Sequence, residues 1–325
     1  NLLIRIALPV LAIAVVQVVT GFLQNAGIVQ SYNANFPFTG FFNNPGPFAI
    51  YLGSLLPFAF GLFSYKQSNT GLKIVGVIVF AGLLGIIVLS RSRTAWIATL
   101  AGMLFAAYHR YGWAFFLKKM LSTRFKKAGA LVLIAIILFP AGFYLYNFKK
   151  DSAKGRLFIW KITGKMILDK PAAGFGLGNY KKNHNTYQAS YFNKNPNQQS
   201  EELLAANDPY AFNDYLQLTS ELGITGLVLF VGIFVFLFTG KSGNSSIHKN
   251  KPEVVTITKS SVITLLISAL FSYPLQKIPT AVNLFLFTGL IVSYQKEGLN
   301  FQPKRGMIQT TGAIILVMLG IFIVY

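Results

Sequence analysis

Two arginines two positions apart, Arg91 and Arg93 in the run LSRSRTAWIA, follow directly on an apolar stretch of membrane-spanning length. A guanidinium stays charged, and its fork of N–H donors matches the oxygens of a phosphate or diphosphate bidentately. The pair could therefore hold a diphosphate at a membrane surface. Equally, both side chains could snorkel to lipid headgroups. Arg156, in GRLFIWKITGKMILD, is a weaker candidate of the same kind, because a cation at a helix end in a basic loop is ordinarily solvated.

A second constellation lies in AFNDYLQLTSELGITGL, where a long polar stretch runs into an apolar one. It holds Asn213, Asp214, Gln217 and Glu221, and its two acids come from a total of only 9 in the chain. A carboxylate there can accept a proton from a hydroxyl, but an acid in the first turns of a helix also favours the macrodipole without further purpose. His184, in KKNHNTYQ, is the one histidine outside the predicted cytoplasmic loops. The run GFGLGNY (174–180) is a turn and not a dinucleotide fingerprint, since no strand precedes it and no matching acid follows. The chain has no cysteine, so disulfides and thiolate metal sites are impossible, and neither a metal nor a cofactor is expected.

The elements that must position these groups follow from composition. The 325 residues are 53% hydrophobic and 12% charged, too apolar for an ordinary soluble domain. With 29 Lys and Arg the net charge is +20, which first suggests nucleic acid. The basic residues, however, lie between apolar runs, as helix-flanking anchors do, and no nucleic-acid partner is expected. The fold class is all-α: a polytopic integral membrane protein with about nine transmembrane helices in this chain. The apolar stretches are Ile6–Leu23, Pro47–Tyr65, Leu72–Leu89, Thr94–Tyr108, Ala128–Tyr146, Leu222–Phe238, Val262–Phe271 with its flanks, Ala281–Tyr294 and Met307–Tyr325. Pro274 and Pro279 separate the seventh from the eighth. The opening NLLIRIALPV, already apolar and without Met, suggests an incomplete N-terminus.

Lys and Arg in the short loops place the N-terminus and the basic loops in the cytoplasm. Three segments result: residues 1–148 with transmembrane helices 1–5, a large periplasmic loop over 149–212, and residues 213–325 with helices 6–9. The loop is too long to be a mere connection. Within it Gly155–Asp169 reads as an amphipathic helix on the membrane surface, with Leu157, Trp160, Gly164, Ile167 and Leu168 toward one face. The Asn-, Gln- and Tyr-rich segment that follows reads as a poor helix and a polar lid.

Several of these segments, in order, resemble the O-antigen ligase and O-antigen polymerase superfamily of bacterial membrane glycosyltransferases. FFNNPGPFAIYLGSLLPF is similar to its Asn-Pro motif entering a span, and SRTAW to its Ser-Arg-small-Ala turn. GRLFIWKITGKMILDKPAAGFGLGNY resembles the signature opening its large periplasmic loop, FNDYLQLTSELGITGL the segment closing it, and FSYPLQ (271–276) its aromatic-Pro-Leu-Gln motif. The resemblance implies an inverting, metal-independent transfer of a glycan from an undecaprenyl-diphosphate-linked donor to a glycolipid or glycan acceptor, such as lipid A-core. This would occur at the periplasmic face of the bacterial inner membrane, in contact with membrane lipid. Arg93, with Arg91, and Arg156 match the positions that would hold the diphosphate; Asn213, Asp214 and Gln217 would line the acceptor site. The family's proposed base, a His before Asn-Asp-Tyr-Leu-Gln, is replaced by Phe212. Either His184, Asp214 or Glu221 serves instead, or no general base is used, or the chain is a degenerate scaffold. A transporter or flippase of polyprenyl-linked or other anionic substrates is the alternative from another class.

Overall fold

A computed structural model describes residues 2–64, 68–112, 150–197, 199–203, 205, 207, 209–240 and 251–294. In lipid every backbone polar group must be satisfied within its own segment, so apolar runs of this length become helices. The described residues contain α1 (Leu2–Asn25), α2 (Pro45–Ser64), α3 (Thr70–Leu89), α4 (Arg93–Tyr111), α5 (Lys150–Asp169), α6 (Tyr180–Lys194), α7 (Asp214–Thr239), α8 (Lys251–Ala269) and α9 (Ile278–Ser293). A single helical turn, Gln199–Glu202, and a 3-10 turn, Pro274–Gln276, complete the order. No strand occurs among the described residues, and the all-helical class expected from composition is what the chain adopts.

Seven of the nine apolar stretches coincide with described helices; Ala128–Tyr146 and Met307–Tyr325 lie outside the described residues. Four described helices, α1, α2, α3 and α7, are long and apolar enough to cross a membrane, and α9 is a shorter apolar helix. The chain is a helical membrane protein. Its centre is α2, buried from Pro47 to Leu62 and packed on α1, α3, α4 and α8. Close approach there is permitted by glycine: a Cβ on Gly53 would collide with Thr99, and one on Gly102 with Thr264 and the Ser260 carbonyl. α8 is polar for a buried helix, yet the Thr258 hydroxyl donates to the Val254 carbonyl (2.7 Å) and Ser268 to that of Leu265 (2.8 Å). These groups are satisfied inside their own helix and cost little to bury. Exposed Ile78, Val228, Leu229 and Phe236 give α3 and α7 the outward apolar faces that lipid requires.

The α5–α6 pair forms a layer at one end of the bundle. The predicted amphipathic helix is present, but its buried face is not the stripe selected by spacing. Leu157 and Leu168 are exposed, whereas Phe158, Ile162 and Met166 are buried, the first two against Tyr191 of α6 and the third against Tyr180. α5 thus carries two apolar faces, one inside the layer and one open. The expectation that the Asn- and Tyr-rich segment is a poor helix is overturned, because α6 runs for 15 residues through it. Poor intrinsic propensity is outweighed there by tertiary contacts: Tyr180, His184 and Tyr191 are buried, and the Tyr180 hydroxyl hydrogen-bonds Thr163 of α5 (2.8 Å).

Candidate functional site

The turn between α3 and α4 is tight. Ser92 caps α4 by accepting from the Ala95 N–H (3.4 Å), the Ser90 hydroxyl donates to the Ile87 carbonyl (2.6 Å), and the Trp96 indole donates to the same carbonyl (2.8 Å). Arg91 is exposed at the tip with φ +50°, and Arg93 is half-buried as the first residue of α4. One residue on, the Thr94 hydroxyl reaches the Phe271 carbonyl (3.3 Å), which also accepts a 2.6 Å hydrogen bond from Arg156 Nη1. One carbonyl at the end of α8 therefore gathers the start of α4 and the first turns of α5. Sequence positions 94, 156 and 271 meet in space.

The electrostatics follow from that meeting. Burial and the nearby charge of Arg93 push the Arg156 guanidinium below its ordinary value, and Tyr273 partly offsets this. A guanidinium whose charging is made costlier by burial and a neighbouring cation is a site that an anion would relieve. The Arg156 guanidinium also lies 5.2 Å from the centre of the Phe212 ring, the position at which the resemblance would have histidine. Phe212 in turn meets Tyr273 edge-on at 5.0 Å, and Tyr273 stacks on Tyr210 at 4.4 Å with 16° between the planes. Lys277 covers that stack, 4.8 Å from the Tyr210 ring centre. Arg91 and Phe212 are the only non-glycine residues with positive φ among the described residues, and both stand at this end of the bundle. Such strain persists only where the surroundings hold it.

α7 begins beside this cluster. Asn213 caps it, its side-chain oxygen accepting from the Leu216 N–H (3.0 Å), and buried Gln217 accepts from the Ala211 N–H (3.1 Å). Both side chains turn back to the backbone on either side of Phe212. Asp214 is 2% exposed; one oxygen accepts from the Leu275 N–H (2.9 Å), which ties FSYPLQ to the start of α7. Glu221, 4% exposed, accepts from the Tyr180 N–H (3.2 Å) at the start of α6. His184 is fully buried and stacks on Tyr180 at 5.2 Å. Burial holds its imidazole down to about 4, with the Ile159 carbonyl working in the opposite sense. The structure therefore brings Arg93 and Arg156 together beside Phe212, sets Asp214 against the FSYPLQ turn, and places Glu221 and His184 where α7 meets the loop layer.

What joins that layer to the bundle is a backbone-to-backbone contact. α7 is kinked at Gly223 (φ 69°), and the turn after α5 docks into the kink. Phe175 and Gly176 N–H groups donate to the Ser220 (3.0 Å) and Glu221 (2.8 Å) carbonyls, and the Ile224 N–H donates to the Pro171 carbonyl (2.8 Å). A Cβ on Gly223 would strike the Ala172 carbonyl, and one on Gly174 the backbone of Glu221. The glycines of the turn, Gly174, Gly176 and Gly178, all have positive φ, as a turn with three glycines suggests. Tyr210, Tyr273 and Lys277 were not singled out from sequence; the signal available was FSYPLQ itself, whose aromatic and proline fix a 3-10 turn against α7.

A polytopic helical bundle with paired arginines at one end and a polar loop layer above them defines a membrane protein whose exposed chemistry lies at a single face. Residues 77–231 match the family model described as O-antigen ligase, a segment running from α3 through most of α7 that contains both arginines of the turn, Arg156, Phe212 and Asp214. The matched segment supports the resemblance to the O-antigen ligase and polymerase superfamily, and it suggests glycan transfer of that general type. No curated protein matches the chain.

Proposed function

We propose that the protein transfers a glycan from an undecaprenyl-diphosphate carrier to a hydroxyl of a glycolipid or glycan acceptor, at the periplasmic face of the bacterial inner membrane. The observation that carries this is that the start of α4, with Arg93, and Arg156 of α5 meet at the end of α8, close enough for Arg156 to feel the charge of Arg93. The bond between the anomeric carbon and the diphosphate breaks, the acceptor oxygen bonds to that carbon from the opposite face, and the electron pair leaves with the diphosphate. Preorganised cations at the departing oxygens are then the largest catalytic contribution, worth roughly 10²–10³-fold per donor at comparable sites. No metal is required where guanidinium groups do this work.

The acceptor proton needs a destination, and Phe212 cannot take it. Of the three groups left open by the sequence, Asp214 stands two residues from Phe212 and accepts from Leu275 in the turn that carries Tyr273, next to the aromatic cluster; Glu221 and His184 stand further off, at the start of α6 and within it. Asp214 is therefore the favoured base. Asn213 and Gln217 act as positioning residues that hold Phe212 and Asp214. Arg91, exposed at the tip of its turn, meets the outer phosphate or the headgroup region.

A second reading is favoured by one observation. Arg156 rests over the Phe212 ring where the family would have its histidine, an arrangement that suits a member retained as a scaffold of glycan assembly. Glycan transfer in proteoliposomes from a purified undecaprenyl-diphosphate-linked donor separates the two: turnover that depends on Arg93 supports the enzyme, and donor binding without turnover supports the scaffold.

A further inference from the structure

The groove between α5 and α6, on the open surface of the loop layer, encloses about 410 Å³, enough for several sugar units. Its lining includes Lys165, Asp169, Thr186, Tyr187, Ser190 and Lys194. The acids around it are already bound from within the protein. The Tyr187 hydroxyl donates to Asp169 Oδ2 (2.6 Å), and Glu201 takes Lys161 Nζ (2.8 Å) and the Tyr191 hydroxyl (2.5 Å). Lys194 extends as an exposed cation from α6, and Lys165, exposed on the facing α5, lies over the Tyr191 ring with its charge also felt by Glu201. The walls are rigid for a surface groove, since Lys161 and Lys165 both lie over the Tyr191 ring (4.6 and 4.2 Å) and Phe158 stacks on Phe192 at 5.5 Å.

α6 adds a second observation. Its exposed residues are Lys181, Lys182, Thr186, Ala189, Ser190, Asn193 and Lys194, cations, hydroxyls and an amide with no acid among them. Amides and hydroxyls in a cationic groove suit a ligand that is itself a polyol bearing negative charge. We propose that this groove binds an acidic saccharide, its carboxylates meeting Lys165 and Lys194 and its hydroxyls meeting the polar side chains of α6. The proposal rests on the glycan-transfer reading above and names the substrate class. Lys165 stands nine residues along α5 from Arg156, about 14 Å at 1.5 Å per residue. The groove thus holds units beyond the reacting sugar and selects which chains are handled.

The test uses the whole protein in nanodiscs of zwitterionic lipid, with oligogalacturonate as probe and a malto-oligosaccharide of equal length as neutral control. Oligogalacturonate should bind at least about tenfold more tightly than the neutral chain, and lose at least about tenfold in the double variant Lys165→Ala, Lys194→Ala. Ser190→Trp, which fills the groove and keeps both charges, should weaken binding as well. Equal binding of the two probes, no binding of either, variants that bind like the parent, or displacement of oligogalacturonate by phosphatidylglycerol vesicles would overturn the proposal. Transfer by Arg93→Ala is measured in parallel. Loss of transfer there with groove variants that behave as the parent defeats the groove alone. No transfer by the parent protein with groove-dependent binding intact defeats the transfer reading and leaves a saccharide-binding surface, whereas normal transfer by Arg93→Ala defeats only the arginine assignment.

Discussion

Phe212 occupies a left-handed backbone position (φ 52°), with Arg156 over its ring and Tyr273 at its edge. An imidazole placed there would feel the Arg156 charge, which disfavours imidazolium and keeps the ring available as a base at neutral pH. Phe212→His is therefore expected to raise turnover, and general-base catalysis bounds the gain at about 10²–10⁴-fold; an unchanged rate would show that proton removal does not limit this protein. His184 gives a prediction on stability. Its folded value of about 4 lies below the ordinary 6.5, so between those values the unfolded chain binds a proton that the folded one does not. Stability then falls as pH drops through that window, by roughly 3–4 kcal/mol in all. Protection factors in α5 and α6, taken relative to intrinsic exchange at each pH, should fall from pH 7 to pH 4 in the parent and much less so in His184→Phe. At this scale the arginine pair stood out in the sequence because cations in a short turn, at the end of a span opposite the basic loops, are conspicuous. Asn213 and Gln217 were not, since the same side chains serve as caps or as ligands and only the fold shows that they turn back to Leu216 and Ala211.

The elements depend on one junction, the docking of the glycine turn into the α7 kink. Gly174→Ala and Gly223→Ala each place a methyl group against backbone and demand positive φ of a residue that resists it. Strain of this kind costs about 1–3 kcal/mol before the collision is counted. Gly178, with φ 76° and open space around it, carries only the conformational part. Thermal unfolding in detergent should therefore rank Gly223→Ala and Gly174→Ala well below Gly178→Ala; equal loss in all three would deny the junction its role. The sequence announced the turn through three glycines in five residues. It did not announce the partner, because Gly223 lies inside an otherwise unbroken apolar helix. Nor did it disclose α6, whose start is held by the Glu221 carboxylate 41 positions away, or which of the two apolar faces of α5 is buried.

At the scale of the whole molecule, apolar runs made the bundle legible, while its sidedness rests on the distribution of Lys and Arg. The chain has no cysteine, so single cysteines can be placed cleanly. Leu203, 89% exposed on the loop layer, and Tyr111, 47% exposed at the end of α4, stand toward opposite ends of the bundle. In intact spheroplasts a membrane-impermeant maleimide should label Leu203→Cys and should reach Tyr111→Cys only after permeabilisation. The reverse pattern would turn the loop toward the cytoplasm and remove it from the carrier's outward-facing headgroup. The account as a whole stands on the arginine pair, and its most direct test is transfer by the reconstituted protein from an undecaprenyl-diphosphate-linked donor, parent against Arg93→Ala. We expect turnover by the parent and a loss of about 10²-fold or more in the variant; full transfer by Arg93→Ala would contradict the assignment of the site.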